Sequence, residues 1–414
     1  MRIIVVAGPC VAYDAGRALD PENDALSSAL VAAGHEVHAV APLDADVDPE
    51  AHSLARRLRP IEVRDTDGGS RSWRRFDGRS PTGVHLHLLR LEDGAEERGS
   101  DPFFRVASEL IDSLGDEEAW CVTRGLASGI VSRLDRERHP EPPRRHLLLL
   151  GAGDEDGSGE SLAAADRVAI QGRAAADRIL AEDATPIAKM LASGRIVPLP
   201  LAVPDRPRLS RRDKAEIKTR FQLSVGLPVR TEVPLVTLEA LSSAGRELLP
   251  RALREDLQVL ALPASEDVIR ELLDRYPDRL KSLASEDEWS RALDGADLAV
   301  AADRPRRTAL AVSRGAVPVT TAACAEGVVE IAPDLSSGSG AIARGEPPAS
   351  LAEAFQRGIA AFHRGEEFRA LQERIQGYSV SWKRLAELLT GLMDLDLERP
   401  TQPDSGDQAS PANQ

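Results

Sequence analysis

Cysteine, aromatic residues, long apolar runs and positive net charge are all scarce in this chain of 414 residues. The three cysteines, Cys10, Cys121 and Cys324, lie far apart and lack metal-ligand spacing. That argues against a disulfide framework or a cysteine zinc site, and a reducing, cytoplasmic setting is expected. With 4 Trp, 3 Tyr and 7 Phe, there is little material for sugar-stacking platforms. No apolar run approaches the roughly 18 residues that a membrane helix needs. The 52 Lys and Arg face 67 Asp and Glu, a formal net charge of −15. An acidic balance of that size disfavours nucleic acid and anionic membranes as partners, because both attract basic faces. A small anion held in a local basic pocket stays compatible with it.

What is present is a βα rhythm. Ile3–Ala7 reads as a buried strand, broken by Gly8-Pro9-Cys10. Ala25, Leu26, Ala29, Leu30 and Ala33 recur at helical spacing before Gly34, and Val37–Val40 starts the next strand. This βαβ opening predicts a parallel sheet covered on both faces. Residues 60–100 read as a half-exposed antiparallel insertion that ends in Val84–Leu89. Four prolines, Pro198, Pro200, Pro204 and Pro207, mark a hinge. Beyond it, strands are expected at 234–238, 258–262, 297–301 and 317–320. Ser285 with Glu288 and Ser350 with Glu353 spell two helix-capping boxes. Final helices are expected at 351–376 and 381–393, followed by a disordered polar tail at 396–414. The division is thus 1–203, 204–395 and tail: two α/β Rossmann-like domains facing a cleft, with a C-terminal helix.

Several candidate sites are weak. Gly151-Ala152-Gly153 follows a strand, but the acids Asp154, Glu155 and Asp156 would repel a pyrophosphate, so a surface loop is expected. His85 and His87 alternate along one strand face. With no carboxylate or third ligand nearby in sequence, they read as part of a half-buried strand, and no metal is expected. Trp382 reads as packing for the last helix. Arg304, Arg306 and Arg307 precede a helix that begins near Thr308. Guanidinium groups beside helix-start N–H groups are chemically suited to a phosphate. Arg17 is a further candidate near the N terminus.

Together these residues resemble bacterial glycogen and starch synthases, glucosyltransferases of the GT-B architecture. The resemblance runs from about residue 1 to 393. It is carried by Met1–Ala7 with Ala29–Val37, Phe76-Asp77-Gly78-Arg79 with Gly83-Val84, and Ala165-Asp166-Arg167-Val168 with Ala175–Leu180. Asp294–Leu298, Gly315–Val319 and Ser381-Trp382 complete it. The family's functional motifs are altered here. Its Lys-x-Gly-Gly-Leu phosphate loop falls on Ala15-Gly16-Arg17-Ala18-Leu19. The Arg and Lys that meet its donor diphosphate fall on Ala240 and Ala244, and its Glu-Pro-Cys-Gly segment falls across Ala302–Thr308 without a glutamate. Two glycines of its Thr-Gly-Gly-Leu turn fall on Ala322 and Ala323. Sugar transfer from a nucleotide donor builds charge on the leaving diphosphate, which fixed cations and N–H groups must meet. Each lost charged contact costs on the order of 3 kcal/mol of that stabilisation.

The resemblance with these losses implies a degenerate synthase-like protein without ordinary ADP-glucose transfer, and with no catalytic residue or cofactor to assign. Its expected ligand is a nucleotide sugar or an α-glucan, or its partner a protein. The alternatives are an active retaining glucosyltransferase that uses Arg304, Arg306 and Arg307, and an interaction scaffold whose cleft binds nothing small.

Overall fold

The protein is described from a computed structural model. It describes residues 1–7, 21–44, 47–64, 69–92, 101–115, 119–139, 144–151, 159–173, 176–177, 180, 186–240, 243–263, 267, 269–302 and 304–395. Gly8–Cys10, the Ala15–Leu19 segment with Arg17, the acidic loop at 154–156 and the tail at 396–414 lie outside the described residues.

Two sheets dominate. The first holds β1 (Arg2–Val6), β2 (Glu36–Pro42), β3 (Ala55–Arg56), β4 (Ile61–Arg64), β5 (Ser70–Arg79) and β6 (His85–Leu91). It continues with β7 (Trp120–Arg124), β8 (Arg145–Leu150), β9 (Arg167–Gln171) and β10 (Ile196–Leu199). Its order is β10-β9-β8-β7-β1-β2-β6-β5-β3, with β4 against β5. The pairs from β10 to β6 are parallel. The expected antiparallel insertion is β3, β4 and β5. Strand β6 differs from expectation, because it joins the main sheet parallel to β2. Its Leu86, Leu88 and Leu89 are buried, since both sheet faces there are covered.

A short pair, β11 (Ala202–Val203) with β18 (Val380–Ser381), lies at the hinge. The second sheet holds β12 (Leu235–Ala240), β13 (Gln258–Pro263), β14 (Leu280–Ser282), β15 (Leu298–Val300), β16 (Val317–Thr321) and β17 (Ala341–Ala343). Its order, β14-β13-β12-β15-β16-β17, is wholly parallel. Numbered within the sheet this is 3-2-1-4-5-6, the doubly wound arrangement whose ligands sit at the carboxyl ends of strands 1 and 4. Strands β12, β13, β15 and β16 are buried on both faces, which is why they read as nearly continuous apolar runs.

Local chemistry fixes these placements. Asp297 accepts from Lys218 Nζ at 2.7 Å and from Leu235 N at 2.9 Å, which ties the helix Arg211–Ser224 to the sheet. Gly295 permits that approach, for a Cβ there would stand 3.0 Å from Lys218 Cα. The last helix, Trp382–Asp394, returns to the first sheet. Its Trp382, Leu385 and Leu389 share a core with Leu26, Leu30 and Val37, so the unit expected at 204–395 gives its final helix to the first sheet. Trp382 is a packing residue, as its sequence context predicted. Cys121 and Cys324 are buried as well, and burial pushes the Cys121 thiol up to about 12.

Candidate functional site

The carboxyl ends of β12 and β15 define the place where a doubly wound sheet takes its ligand. Glu239 occupies the end of β12 and is buried. After β15 the chain turns into the helix Pro305–Ser313, with Arg304 as N-cap and Pro305 at the first position. Arg307 lies in the first turn of that helix and is itself 2% exposed. Its guanidinium contacts the carboxylates of both Glu239 and Glu286, and its Nε donates to Glu286 Oε2 at 3.1 Å. The Trp289 ring lies 5.6 Å from the guanidinium carbon. Burial pushes the Arg307 guanidinium down to about 10, so it is still charged at neutral pH. Burial raises the Glu286 carboxyl above the ordinary glutamate range, against the pull of Arg304 and Arg306.

The two remaining arginines also have carboxylate partners. Arg304 Nη1 donates to Glu286 Oε1 at 3.2 Å, with both side chains exposed. Arg306 contacts Glu22 at the start of the helix Pro21–Ala32. Glu22 also accepts from Arg124 Nη2 at 2.5 Å, and Arg124 Nη1 donates to Asn23 Oδ1 at 2.8 Å. Arg124 ends β7, the neighbour of β1 in the first sheet. Glu22 therefore bridges the two domains between two guanidinium groups. Burial opposes the ionised form of Glu22, yet Arg306 and Arg124 hold its pKa below the ordinary value.

Thr308 has a different setting. Its hydroxyl is fully buried, 3.4 Å from the Ala301 carbonyl that accepts it and 3.2 Å from Thr320 Oγ1. Its local hydrogen bonds therefore tie the helix to β16. The structure thus brings Arg304, Arg306 and Arg307 together at one helix start, each facing an acid. Sequence reading had missed those acids, Glu22, Glu239 and Glu286, along with Arg124 and Trp289. A glutamate inside the apolar run Leu235–Ala240 was the one signal available for Glu239. Ala240 and Ala244 are buried in the core of the second sheet, and Ala322 and Ala323 form an exposed turn after β16.

This architecture is the GT-B glycosyltransferase fold. The catalytic domain of starch synthase IV from Arabidopsis thaliana, bound to ADP and acarbose, superposes with a TM-score of 0.75 at 15% identity over 94% of this chain and 98% of that one. A trehalose-phosphate synthase from Burkholderia vietnamiensis superposes with a TM-score of 0.53 at 14% identity over 95% of this chain and 100% of that one. In sequence, the chain is 30% identical over 196 residues to a glycogen synthase of Anaeromyxobacter sp. (strain Fw109-5). That match spans 43% of this chain and 41% of the relative. A glycogen synthase of Anaeromyxobacter dehalogenans (strain 2CP-C) matches at 30% over 192 residues, 42% of this chain and 40% of that one. The chain thus matches well under half the length of these curated relatives. No protein-family profile matches it. The resemblance to glycogen and starch synthases is borne out at the level of a glycogen/starch-synthase-like GT-B protein. Among the described residues, no helix is long and apolar enough to cross a membrane.

Proposed function

We propose that this chain is a synthase-like GT-B protein that does not carry out ordinary ADP-glucose transfer, and whose cleft binds rather than transforms. One observation carries the reading: the cations at the ligand end of the second sheet are already neutralised by the protein's own acids. Arg307 lies between Glu239 and Glu286, Arg304 faces Glu286, and Arg306 faces Glu22. A donor diphosphate would have to displace these carboxylates, and Glu239 is buried with no solvent to receive it. The alanines at 240 and 244 supply no replacement cation. Fixed donors directed at the leaving group are the largest usual contribution to such a reaction, and here their charge is spent inside the protein. The starch synthase structure is bound to ADP and acarbose; with the cations here already paired, an α-glucan is the first ligand to test, and a nucleotide sugar is expected to bind weakly.

A second reading, an active transferase, draws on the 60% exposure of the Arg304 side chain and the 31% exposure of Arg306. In that reading both turn from their glutamates to the donor phosphates. A turnover assay with ADP-glucose and UDP-glucose on a glycogen primer separates the two. The expected result is no glucose transfer above a protein-free control. Transfer that is lost in Arg304→Ala and Arg306→Ala would replace the first reading with the second.

A further inference from the structure

At the opposite end of the first sheet, away from the cleft, the parallel pairing of β2 with β6 sets His38 directly beside His85. Glu36 and His38 alternate on β2 and so share a face with His85 and His87 on β6. The His38 ring stacks on His85 at 4.7 Å and on His87 at 5.2 Å. A chain of contacts runs through them. Asp77 Oδ1 is 2.9 Å from His87 Nδ1, His87 Nε2 is 2.9 Å from His38 Nδ1, and His38 Nε2 is 3.2 Å from Glu36 Oε1. Arg75 and Arg57 hold Asp77, and Arg2 donates to Glu36 Oε1 at 3.1 Å.

The protons along this chain can be counted. Asp77 and Arg75 compete for His87 Nδ1, at 2.9 and 3.2 Å. The nearer group is the carboxylate, so Nδ1 carries the proton and donates to Asp77. His87 Nε2 is then the acceptor for His38 Nδ1–H. His38 Nε2 is left as a bare lone pair that faces the Glu36 carboxylate. A proton or a metal ion can stand between these two groups at 3.2 Å. His85 adds a third donor, since neither of its ring nitrogens hydrogen-bonds to a described residue. Ligand atoms of Glu36, His38 and His85 all lie within 4.8 Å of one another.

We infer that Glu36, His38 and His85 form a binding site for a divalent first-row metal ion of the Zn²⁺ class. Two imidazoles and a carboxylate, with a water in the fourth position, are a tetrahedral donor set of that kind. Donors around a tetrahedral Zn²⁺ stand about 3.3 Å apart. The Glu36–His38 separation already meets that spacing, and His85, at a half-exposed strand start, would close by turning its ring out of the stack with His38. His87, with Asp77 behind it, fixes the tautomer and direction of His38 as a positioning residue. The ion would clamp β2 to β6 at the amino ends of the strands. The sequence pattern around His85 does not reveal the site, because Glu36 and His38 lie 47 to 49 positions away and meet His85 only through strand pairing.

The test is Zn²⁺ titration of the full-length, tag-free protein against a chromophoric chelator, with Co²⁺ as a spectroscopic probe. One equivalent is expected to bind, with tetrahedral Co²⁺ bands. Glu36→Gln and His85→Ala should each weaken binding by about 10-fold or more, and His87→Ala by about 10- to 100-fold. Zn²⁺ should raise the Tm of the parent protein and not that of His85→Ala. Asp112→Asn serves as the control. Asp112 belongs to a second acid–histidine cluster with Asp135 and His139, where Arg138 and Arg144 already hold the carboxylates. It should leave affinity unchanged. Glu36→Gln keeps the side-chain shape at an exposed position, so it remains informative if His85→Ala fails to fold. Affinity unchanged in both Glu36→Gln and His85→Ala, or lost in Asp112→Asn, would overturn the site.

Discussion

The ligand ends of the two sheets hold the same pair of residue types in opposite surroundings. In the first domain, Arg124 at the end of β7 meets Glu22, with side chains 17% and 28% exposed. In the second, Arg307 meets Glu239, with side chains 3% and 1% exposed. Water shares the first pair and is excluded from the second. The same chemistry therefore makes a modest bridge in one domain and a fixed element of the core in the other. Desolvating two charges is costly, and the pair persists only because each partner compensates the other.

The largest effect should come from breaking the buried pair. Glu239→Ala leaves Arg307 with one exposed partner in a dry site, and Arg307→Ala leaves Glu239 bare. Each should destabilise the fold by about 3–5 kcal/mol in urea unfolding. The joint change Glu239→Leu with Arg307→Met should recover most of that loss, because apolar replacement of a whole buried pair is often neutral. A loss in the double variant equal to the sum of the singles would show that the pair is not coupled.

Breaking the bridge in the first domain should matter less. Glu22→Gln should cost on the order of 0.2–1 kcal/mol, the range of partly exposed ion pairs, and lessen with added salt. The pH dependence sharpens the contrast. Glu22 has a folded pKa below its ordinary 4.5, so its contribution is present above 4.5 and lost as pH falls through the folded value. Glu286 has a folded pKa above 4.5. Its contribution is present below 4.5 and lost as pH rises through the folded value. Unfolding curves between pH 3 and 7 should therefore show Glu22→Gln flattening the acid-side loss of stability. Glu286→Gln should leave that acid-side loss in place and cost less at pH 7 than Glu22→Gln. The reverse ranking would contradict the assignment.

Most of the framework was legible in the residues. Strands at 235–240, 258–263, 298–300 and 317–321 fall where continuous apolar runs placed them, because parallel strands buried on both faces need nothing polar. Strands β14 and β17, three residues each, are too short to show a pattern. Ser285 caps its helix as its spacing predicted, accepting from Glu288 N at 3.2 Å. Ser350 does not. Its helix starts at Ala349 and its hydroxyl donates to the Gly345 carbonyl, so the same four-residue spelling served a different bond. The expected helix at 351–376 is two helices: the first ends at Phe362, and Gly365, with a φ of 59°, is the N-cap of the second. The site was legible only in half. Three arginines within four residues are visible in any reading, whereas their acids come from positions 22, 239 and 286, which only the tertiary fold brings near.

In the proposed reading, the cleft's own acids occupy the cations a donor diphosphate would need. Calorimetric titration of ADP into the parent protein and into the joint variant Glu22→Gln with Glu286→Gln tests it most directly. Weak or undetectable ADP binding by the parent is expected, with at least about 10-fold tighter binding by the variant, equivalent to about 1.4 kcal/mol. Tight ADP binding by the parent that does not change in the variant would contradict it.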